Sequence, residues 1–316
     1  MSIKLLLSPL QGFTDFRFRN SINKLFNGLD TYYAPYIRLQ NNMEIKKSYK
    51  RDLKPDNNSV SQLIPQVMTN SAQEFLFIAD YVKDLGYQEL NWNLGCPYPM
   101  VTKRGLGCGL IKDVAKIDEI LRNVFQETDI QISLKLRLGY DNSNEILDLL
   151  PVLEKYSIKY IIIHPRIGRQ LYKGEVDLDA FKRCIDNTGH IVHYNGDIDT
   201  VARFRELRDR FASVNSWALG RGIIANPFLA EMIKNDSDDL PCDWIDRFSD
   251  FHDELFSYYN EDLSGDTHIV LKMKGFWEYF CHIFSNPHKV FKAIKKAKSI
   301  AAYHQAVRDN LEGEKN

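Results

Sequence analysis

The sequence predicts an α/β fold, a (β/α)8 TIM barrel followed by a small C-terminal helical domain, on three observations. Eight short apolar runs alternate with amphipathic, helix-like segments, the pattern of a parallel barrel rather than an open sheet. Polar and glycine residues recur where each run ends, and barrels carry their chemistry at the C-terminal ends of strands. Near Asp236 the composition changes sign twice, first acidic and then basic. With 316 residues the chain has room for a barrel of about 250 residues and a smaller partner. The barrel is placed at residues 1–236 and the helical domain at 237–316.

The first strand, Lys4–Leu7, ends at Ser8-Pro9-Leu10-Gln11-Gly12, and a helix follows over Asp15–Leu25. Thr31–Tyr36 reads as the second strand, with Arg38 just beyond it; Gln40–Ser61 shows little periodicity. Leu63–Val67 is the third strand and contains Gln66. The helix Ala72–Leu85 is opened by a capping residue in Asn70-Ser71-Ala72-Gln73-Glu74. In the fourth strand, Glu89–Asn93, Leu90, Trp92 and Leu94 alternate with Asn91 and Asn93, and the run breaks at Gly95-Cys96-Pro97. The remaining strands are Ile130–Leu136, Tyr160–His164, Ile191–Tyr194 and Ser216–Leu219. Helices at Val114–Phe125, Asn144–Lys155, Leu178–Asp186, Thr200–Arg210 and Pro227–Lys234 separate or follow them.

Chemistry gathers at the strand ends. Cys96 lies just past one, ahead of a loop with Lys103, Arg104 and three close glycines, read as mobile. A thiol followed by a basic loop suits reaction on an anionic ligand; a core strand running into an ordinary glycine turn is the plainer reading. Loops after strands seven and eight of a barrel frequently hold phosphate through backbone N–H groups. Here they read Asn195-Gly196-Asp197 and Gly220-Arg221-Gly222, and Arg221 adds a fixed charge. Lys135, inside an apolar strand, either meets an anion or polar ligand or reaches out of the barrel mouth into water. Arg137 follows it, and His164 pairs with Arg166 at the next strand end. No P-loop or G-x-G-x-x-G fingerprint occurs, which removes support for an NTPase or a Rossmann dehydrogenase.

Composition bounds the classes. A net charge of -1 argues against a uniformly basic nucleic-acid binder but leaves room for a basic face. Five cysteines, an odd number with no C-x-x-C pair, read as free thiols in a reducing compartment and not as a metal site. The opening apolar run is too short for a signal peptide, and no run reaches the ~18 residues of a membrane span. A cytoplasmic monomer without membrane or metal partners is expected. From Asp236 to Asp266, eleven carboxylates face one arginine; from Lys272 to Lys298, seven lysines, Lys272 and Lys274 among them, oppose one glutamate. Aromatics at helical spacing interleave with these lysines. They read as the core of a small bundle whose lysine face is either solvated or a phosphate-backbone surface.

In order along the chain, several segments resemble the tRNA-dihydrouridine synthases. Ser8-Pro9-Leu10-Gln11-Gly12-Phe13-Thr14-Asp15 is similar to the family's opening A-P-M-x-G-x-T-D. Asn91-Trp92-Asn93-Leu94-Gly95-Cys96-Pro97 resembles N-x-N-x-G-C-P, and Leu134 to Asp141 resembles V-K-x-R-x-G-W-D. His164 to Gly174 is similar to H-x-R-T-x-x-Q-x-Y-x-G. Asn195-Gly196-Asp197-Ile198 and Gly220 to Pro227 match the two phosphate loops.

The resemblance implies FMN-dependent reduction of uridine to 5,6-dihydrouridine in the tRNA D-loop, with NADPH as reductant. Hydride would pass from flavin N5 to uracil C6, and Cys96 would give C5 its proton. Pro9, Leu10, Gln11, Gln66, Lys135 and His164 would hold the flavin ring. Asn195, Gly196, Asp197, Gly220 and Arg221 would hold its phosphate. Asn93 and Arg137 would contact the flipped uracil, Arg38 and Arg166 are further substrate candidates, and the helical domain with Lys272 and Lys274 would grip tRNA. The Arg38 region and Gly265-Asp266-Thr267-His268 are more similar to the bacterial subfamily acting at position 16. Ser8 and Leu10 depart from the family's Ala and Met, and Tyr33 to Arg38 lacks a glutamate common there. Two other readings share these features: an FMN barrel oxidoreductase acting on a free pyrimidine or dihydroorotate, and a non-catalytic RNA-binding barrel.

Overall fold

Each of the apolar runs becomes part of one parallel sheet in the computed structural model, which describes residues 3–40 and 43–315. The strands are β1 (Lys4–Leu7), β2 (Thr31–Tyr33), β3 (Leu63–Ile64), β4 (Gln66–Val67), β5 (Glu89–Leu94), β6 (Gln131–Gly139), β7 (Ile161–Ile167), β8 (Val192–Asn195) and β9 (Ser216–Leu219). Their order is β3-β2-β1-β9-β8-β7-β6-β5-β4. The two ends of the sheet are therefore consecutive in the chain, separated by Pro65 alone. The barrel is nearly closed, and its nine strands are eight staves with one of them interrupted.

Proline explains both differences from the expected strands. Pro65 has no N–H, so the third stave breaks in two there. Pro35 likewise ends regular pairing in the second, which stops at Tyr33 instead of Tyr36. Pairing resumes around it, since Ala34 N donates to Ile64 O at 3.0 Å and Ile37 N to Gln66 O at 2.7 Å. The other staves differ from expectation only at their ends.

Helices fill the connections where the 3.6-residue period placed them. Asp15, Ser71, Asp113, Asp177 and Thr200 each accept a hydrogen bond from a backbone N–H in the first turn of their helix. In the aperiodic stretch after β2, a helix covers Lys47–Leu53 and a 3-10 turn covers Pro55–Asn57. Polar contacts anchor it: Asp52 accepts from Phe16 N at 2.6 Å and pairs with buried Arg19 at 3.2 Å. Apolar periodicity could not have revealed that anchoring.

Because side chains alternate across a strand, Glu89, Asn91 and Asn93 point into the barrel while Leu90, Trp92 and Leu94 point at the helices. Trp92 meets Phe75 of the helix Ala72–Asp84 edge-on at 5.7 Å. The register pairs Asn91 with Ser133 and Asn93 with Lys135, which puts Ser133, Lys135 and Arg137 of β6 on the same inner face.

After the last barrel helix, Leu229–Asn235, the chain turns at Asp236 in the left-handed region and enters four helices. They span Trp244–Asp262, Asp266–Phe280, Pro287–Lys296 and Ile300–Lys315. Of the aromatics read as bundle core, Phe276, Trp277, Phe280 and Phe284 are buried while Tyr279 and Phe291 are half-buried, and several pack on the barrel. Phe18 stacks on Phe276 at 5.8 Å and meets Phe251 edge-on at 5.7 Å, while Phe13 contacts Phe276 and Tyr279. The acidic run faces the barrel's basic residues: Asp262 pairs with Arg17 and Arg51, Glu254 with Lys24, Asp236 and Asp238 with Arg205. Among the described residues no helix is long and apolar enough to cross a membrane.

Phe276 is fully buried where bundle meets barrel. Phe276→Ala is expected to cost about 3–5 kcal/mol, read as a lower urea midpoint for unfolding.

Candidate active site at the barrel mouth

A cavity of about 1100 Å3 opens at the C-terminal ends of the strands. Its wall includes Pro9, Leu10 and Gln11 from the β1 loop, Asn93 and Cys96 from β5 and the turn after it, and Lys135 and Arg137 from β6. His164, Asn195 to Asp197, Gly220 and Arg221 complete the barrel's share, and Tyr279, His282 and Ile283 of the helical region close one side. Residues from seven staves and the bundle converge on one space.

Lys135 reaches the neutral amide of Asn195, Nζ donating to Oδ1 at 2.7 Å, while Asn195 Nδ2 donates to Ala218 O and Ser8 Oγ. Burial, reinforced by Arg137, lowers Lys135 to about 7. Arg137 is held by Gly95 O at 3.1 Å and Ile167 O at 2.9 Å, yet its Nη2 is buried with no hydrogen-bond partner among the described residues. A half-buried lysine facing a neutral amide and a guanidinium with an idle nitrogen together make a site for an anionic or carbonyl-rich ligand. Burial and then the neighbouring cations hold His164 well below its ordinary value, so it faces the cavity as a neutral ring.

Asp197 organises the phosphate-like loops. Its carboxylate accepts two bonds from Arg166, and Arg221 Nη2 donates to it at 2.8 Å. Two guanidiniums around one carboxylate leave net positive charge at the end of β8. Gly222 lets the helix Arg221–Ala225 approach that loop, because a Cβ there would sit 2.2 Å from Ile198 O. The glycines serve close approach as well as turning.

Cys96 is buried on a turn whose N–H groups at Gly95 and Cys96 both donate to Asn93 Oδ1 at 3.0 Å. Burial pushes its thiol up from the ordinary value, outweighing Arg137, Lys135 and Tyr36, which act the other way. The following loop, expected to be mobile, packs its apolar residues against the Cys96 turn and leaves Lys103 and Arg104 exposed. Val101 and Leu106 form a buried cluster with Met68 and Cys96, and Pro99–Thr102 is a helical turn. Gly107, at φ +56°, lies so close to Cys96 that a Cβ would be 2.5 Å from its carbonyl oxygen.

Five residues singled out from sequence lie away from the cavity wall. Gln66 is fully buried behind it, bonded to Asn91 and Asn93. Arg166 is buried against Asp197 and Gly174 O. Arg38 sits beside Tyr36 and Tyr49. Lys272 donates to Gly12 O and covers the Tyr259 ring at 4.5 Å, and Lys274 donates to Lys295 O and Ala297 O. Both lysines brace the bundle, while Lys289, Lys292, Lys295, Lys296 and Lys298 remain exposed.

Tyr172 was missed. It stands between Arg137 and Arg221, whose guanidiniums lie 5.2 and 4.8 Å from its ring. Its signal was its place in the run His164 to Gly174, next to Leu171 at φ +53°. Among the described residues no group of His, Cys, Asp and Glu is arranged to hold a metal ion.

Without a ligand Lys135 carries fewer protons folded than unfolded between pH about 7 and its unfolded value, so its contribution raises stability as pH rises through that window. Lys135→Met is expected to flatten this part of the stability curve, measured by denaturant unfolding of ligand-free protein from pH 6.5 to 10.

Three comparisons place this geometry among known proteins. The family model described as Dihydrouridine synthase (Dus) matches residues 6–312. The tRNA-dihydrouridine synthase B of Pseudomonas putida is 27% identical over 253 residues, covering 77% of this chain and 72% of that one. A probable tRNA-dihydrouridine synthase of Helicobacter pylori is 25% identical over 283 residues, covering 87% and 82%. In structure, the old yellow enzyme from Trypanosoma cruzi aligns with a TM-score of 0.54 at 10% identity, over 74% of this chain and 88% of that one. Morphinone reductase in complex with tetrahydroNAD also scores 0.54, at 8% identity, over 74% and 87%. These two likenesses show the barrel fold.

Proposed function

The chain belongs to the dihydrouridine synthase family, an oxidoreductase family acting on tRNA, and from that premise we propose that it reduces uridine in the tRNA D-loop to 5,6-dihydrouridine with FMN and NADPH. The observation that carries the reading is the convergence of Cys96, Lys135, Arg137, His164 and the two phosphate-like loops on one cavity.

The residues present fit FMN. Lys135 donates to a neutral amide, so an electron-rich ring edge would find a donor there without a counter-ion and would draw the amine to its charged form. His164 and the segment Pro9 to Gln11 would border the ring. Asn195 to Asp197, Gly220 and Arg221 would take the phosphate, where Arg166 and Arg221 outnumber Asp197 in charge. Gln66 would act from behind the wall through Asn93. When bound there and reduced by NADPH, FMN would supply hydride chemistry for the uracil double bond.

The chain's own residues do the rest. Cys96 gives uracil C5 its proton, and burial keeps the thiol in its acid form at neutral pH. Arg137 Nη2 and the Asn93 amide hold the base, Arg137 meeting a carbonyl oxygen. Tyr98, half exposed at the rim, offers a ring face to a nucleotide flipped from its stack, with Tyr172 beside it at 6.4 Å. Residues 1–236 form the catalytic part. Residues 237–316 grip tRNA through Lys289, Lys292, Lys295, Lys296 and Lys298 instead of Lys272 and Lys274. Arg38 is kept for the RNA at the rim, and the protein works as a cytoplasmic monomer.

Purified protein is expected to be yellow, to bleach with NADPH, and to be reoxidised without oxygen by unmodified tRNA. Mapping dihydrouridine in the product tRNA reads the D-loop position, 16 or another. Reoxidation by a free pyrimidine but not by tRNA would favour a small-molecule oxidoreductase; a protein that cannot be loaded with FMN would refute the proposal. Cys96→Ala is expected to slow reoxidation by tRNA by about 10²–10⁴-fold and leave bleaching unchanged, in stopped-flow absorbance. Because the thiol must be protonated and burial raises its pKa, reoxidation by tRNA should fall with rising pH only above about 9, the ordinary thiol value from which it is raised.

A further inference from the structure

A line of hydrogen bonds runs through the barrel interior from its closed end to the Cys96 turn. It starts at Glu89, whose carboxylate accepts from Ser133 Oγ at 2.7 Å. Asn91 Nδ2 donates to that hydroxyl at 2.8 Å, Gln66 Nε2 to Asn91 Oδ1 at 2.8 Å, and Asn93 Nδ2 to Gln66 Oε1 at 2.7 Å. The line ends where Asn93 Oδ1 accepts from Gly95 N and Cys96 N, both at 3.0 Å. Glu89, Asn91, Gln66 and Ser133 are all buried. From Glu89 to Asn93 the path follows four residues of β5, about 13 Å at about 3.3 Å per residue.

Every bond in this line points the same way, and both ends enforce the direction. At one end two backbone N–H groups can only donate, so Asn93 must turn its oxygen to the Cys96 turn. At the other end Glu89 accepts from Ser133 and from Tyr160 OH, and it pairs with Lys159 at 2.7 Å. A hydroxyl that has given its hydrogen to Glu89 has only lone pairs left for Asn91. That orients Asn91, and Asn91 in turn orients Gln66. Asn93, which lines the cavity, is left with an N–H hydrogen to offer a ligand, and its oxygen is withdrawn into the wall.

From this line we propose that Glu89, remote from the cavity, is a positioning residue. Through Ser133, Asn91 and Gln66 it holds the Asn93 amide in the one orientation that fixes the Cys96 turn and presents N–H to the substrate. An N–H at this place is complementary to a carbonyl oxygen of the base and repels an amino group. The substrate half of this statement rests on the uridine reading above; the positioning of Cys96 does not.

Three variants test it, each checked for folding by circular dichroism. Ser133→Ala cuts the line while leaving Glu89 with Tyr160 and Lys159. Glu89→Gln lets the terminal group donate as well as accept. Tyr33→Phe alters the Glu89 cluster on the side away from the line, where Tyr33 OH bonds Tyr160 OH at 2.6 Å. Two quantities are read: the pH midpoint of Cys96 alkylation by iodoacetamide, resolved from exposed Cys242 by peptide mass spectrometry, and the rate at which undermodified tRNA reoxidises NADPH-bleached protein. Ser133→Ala and Glu89→Gln are expected to shift the midpoint and to slow reoxidation by about ten- to a hundredfold, mainly in kcat. NADPH bleaching should stay normal, and Tyr33→Phe should match the parent in both readings. If Glu89→Gln does not fold, Ser133→Ala decides. Parent-like alkylation and reoxidation in Ser133→Ala would overturn the proposal, as would an equal disturbance in Tyr33→Phe. The alkylation arm needs no substrate, so it decides the positioning role even if tRNA is not reduced.

Discussion

A parallel barrel leaves little water inside, so each polar side chain that a strand points inward must find its partner in the wall or in a ligand. That constraint shapes this molecule more than its apolar packing does. β5 and β6 send in Glu89, Asn91, Asn93, Ser133, Lys135 and Arg137, three from each strand on one face. Glu89, Ser133, Asn91 and Gln66 bond one another in that order, and Asn93, at the end of that line, keeps one N–H for the cavity. Lys135 and Arg137, nearest the mouth, are satisfied less completely: one ends on a neutral amide, and the other keeps a buried nitrogen free. Along β5 and β6, polar satisfaction runs out where the cavity begins, and a binding site in a rigid barrel has that form.

The same constraint assigns roles to residues of one type. Arg137 and Arg166 lie on neighbouring strands and are both almost fully buried. Arg166 meets a carboxylate and a carbonyl and is spent on structure, fixing Asp197 and with it the loop after β8. Arg137 meets two carbonyls, retains its charge uncompensated, and faces the cavity. Likewise Lys272 and Lys274 donate to backbone carbonyls that join and cap helices, while the lysines from Lys289 onward carry their charge at the surface. A count of positive charge in the tail cannot separate these uses. Only what each ammonium meets can.

Sequence was legible where the signal is local. The staves, the capped helices and the polar strand ends all follow from periodicities of two and 3.6 and from what prolines and glycines permit. Six segments in family order carried the identity further than any periodicity. The split at Pro65, the helix in Lys47–Leu53, the packed loop after Cys96 and the work of Gln66, Arg166 and Tyr172 depend on register and closure. Gln66 meets Asn91 because β4 and β5 pair at those residues, and nothing near Gln66 in the chain says so. Tyr172 reaches the cavity on a turn whose shape is set by Gln170 and Arg166. Residues such as Cys96, Lys135 and Arg137 that line the cavity sat in motifs; residues that hold them in place were scattered among strands.

Cys96 shows how burial and charge divide a task. Arg137 and Lys135 pull its pKa down, as cations do near a thiol, and burial pushes it up by more. The net direction favours the thiol over the thiolate, an acid rather than a nucleophile. An anionic or electron-rich ligand at Lys135 would neutralise part of that cationic pull, so loading the site would raise the thiol further. It would also return Lys135 toward its charged form, since the same ligand compensates the burial that lowers it. Binding would thus keep the proton on both groups at once, on the thiol and on the amine. Burial alone acts on the two groups in opposite senses, holding the proton on the thiol and removing it from the amine, and a single ligand placed between them would make both hold their protons.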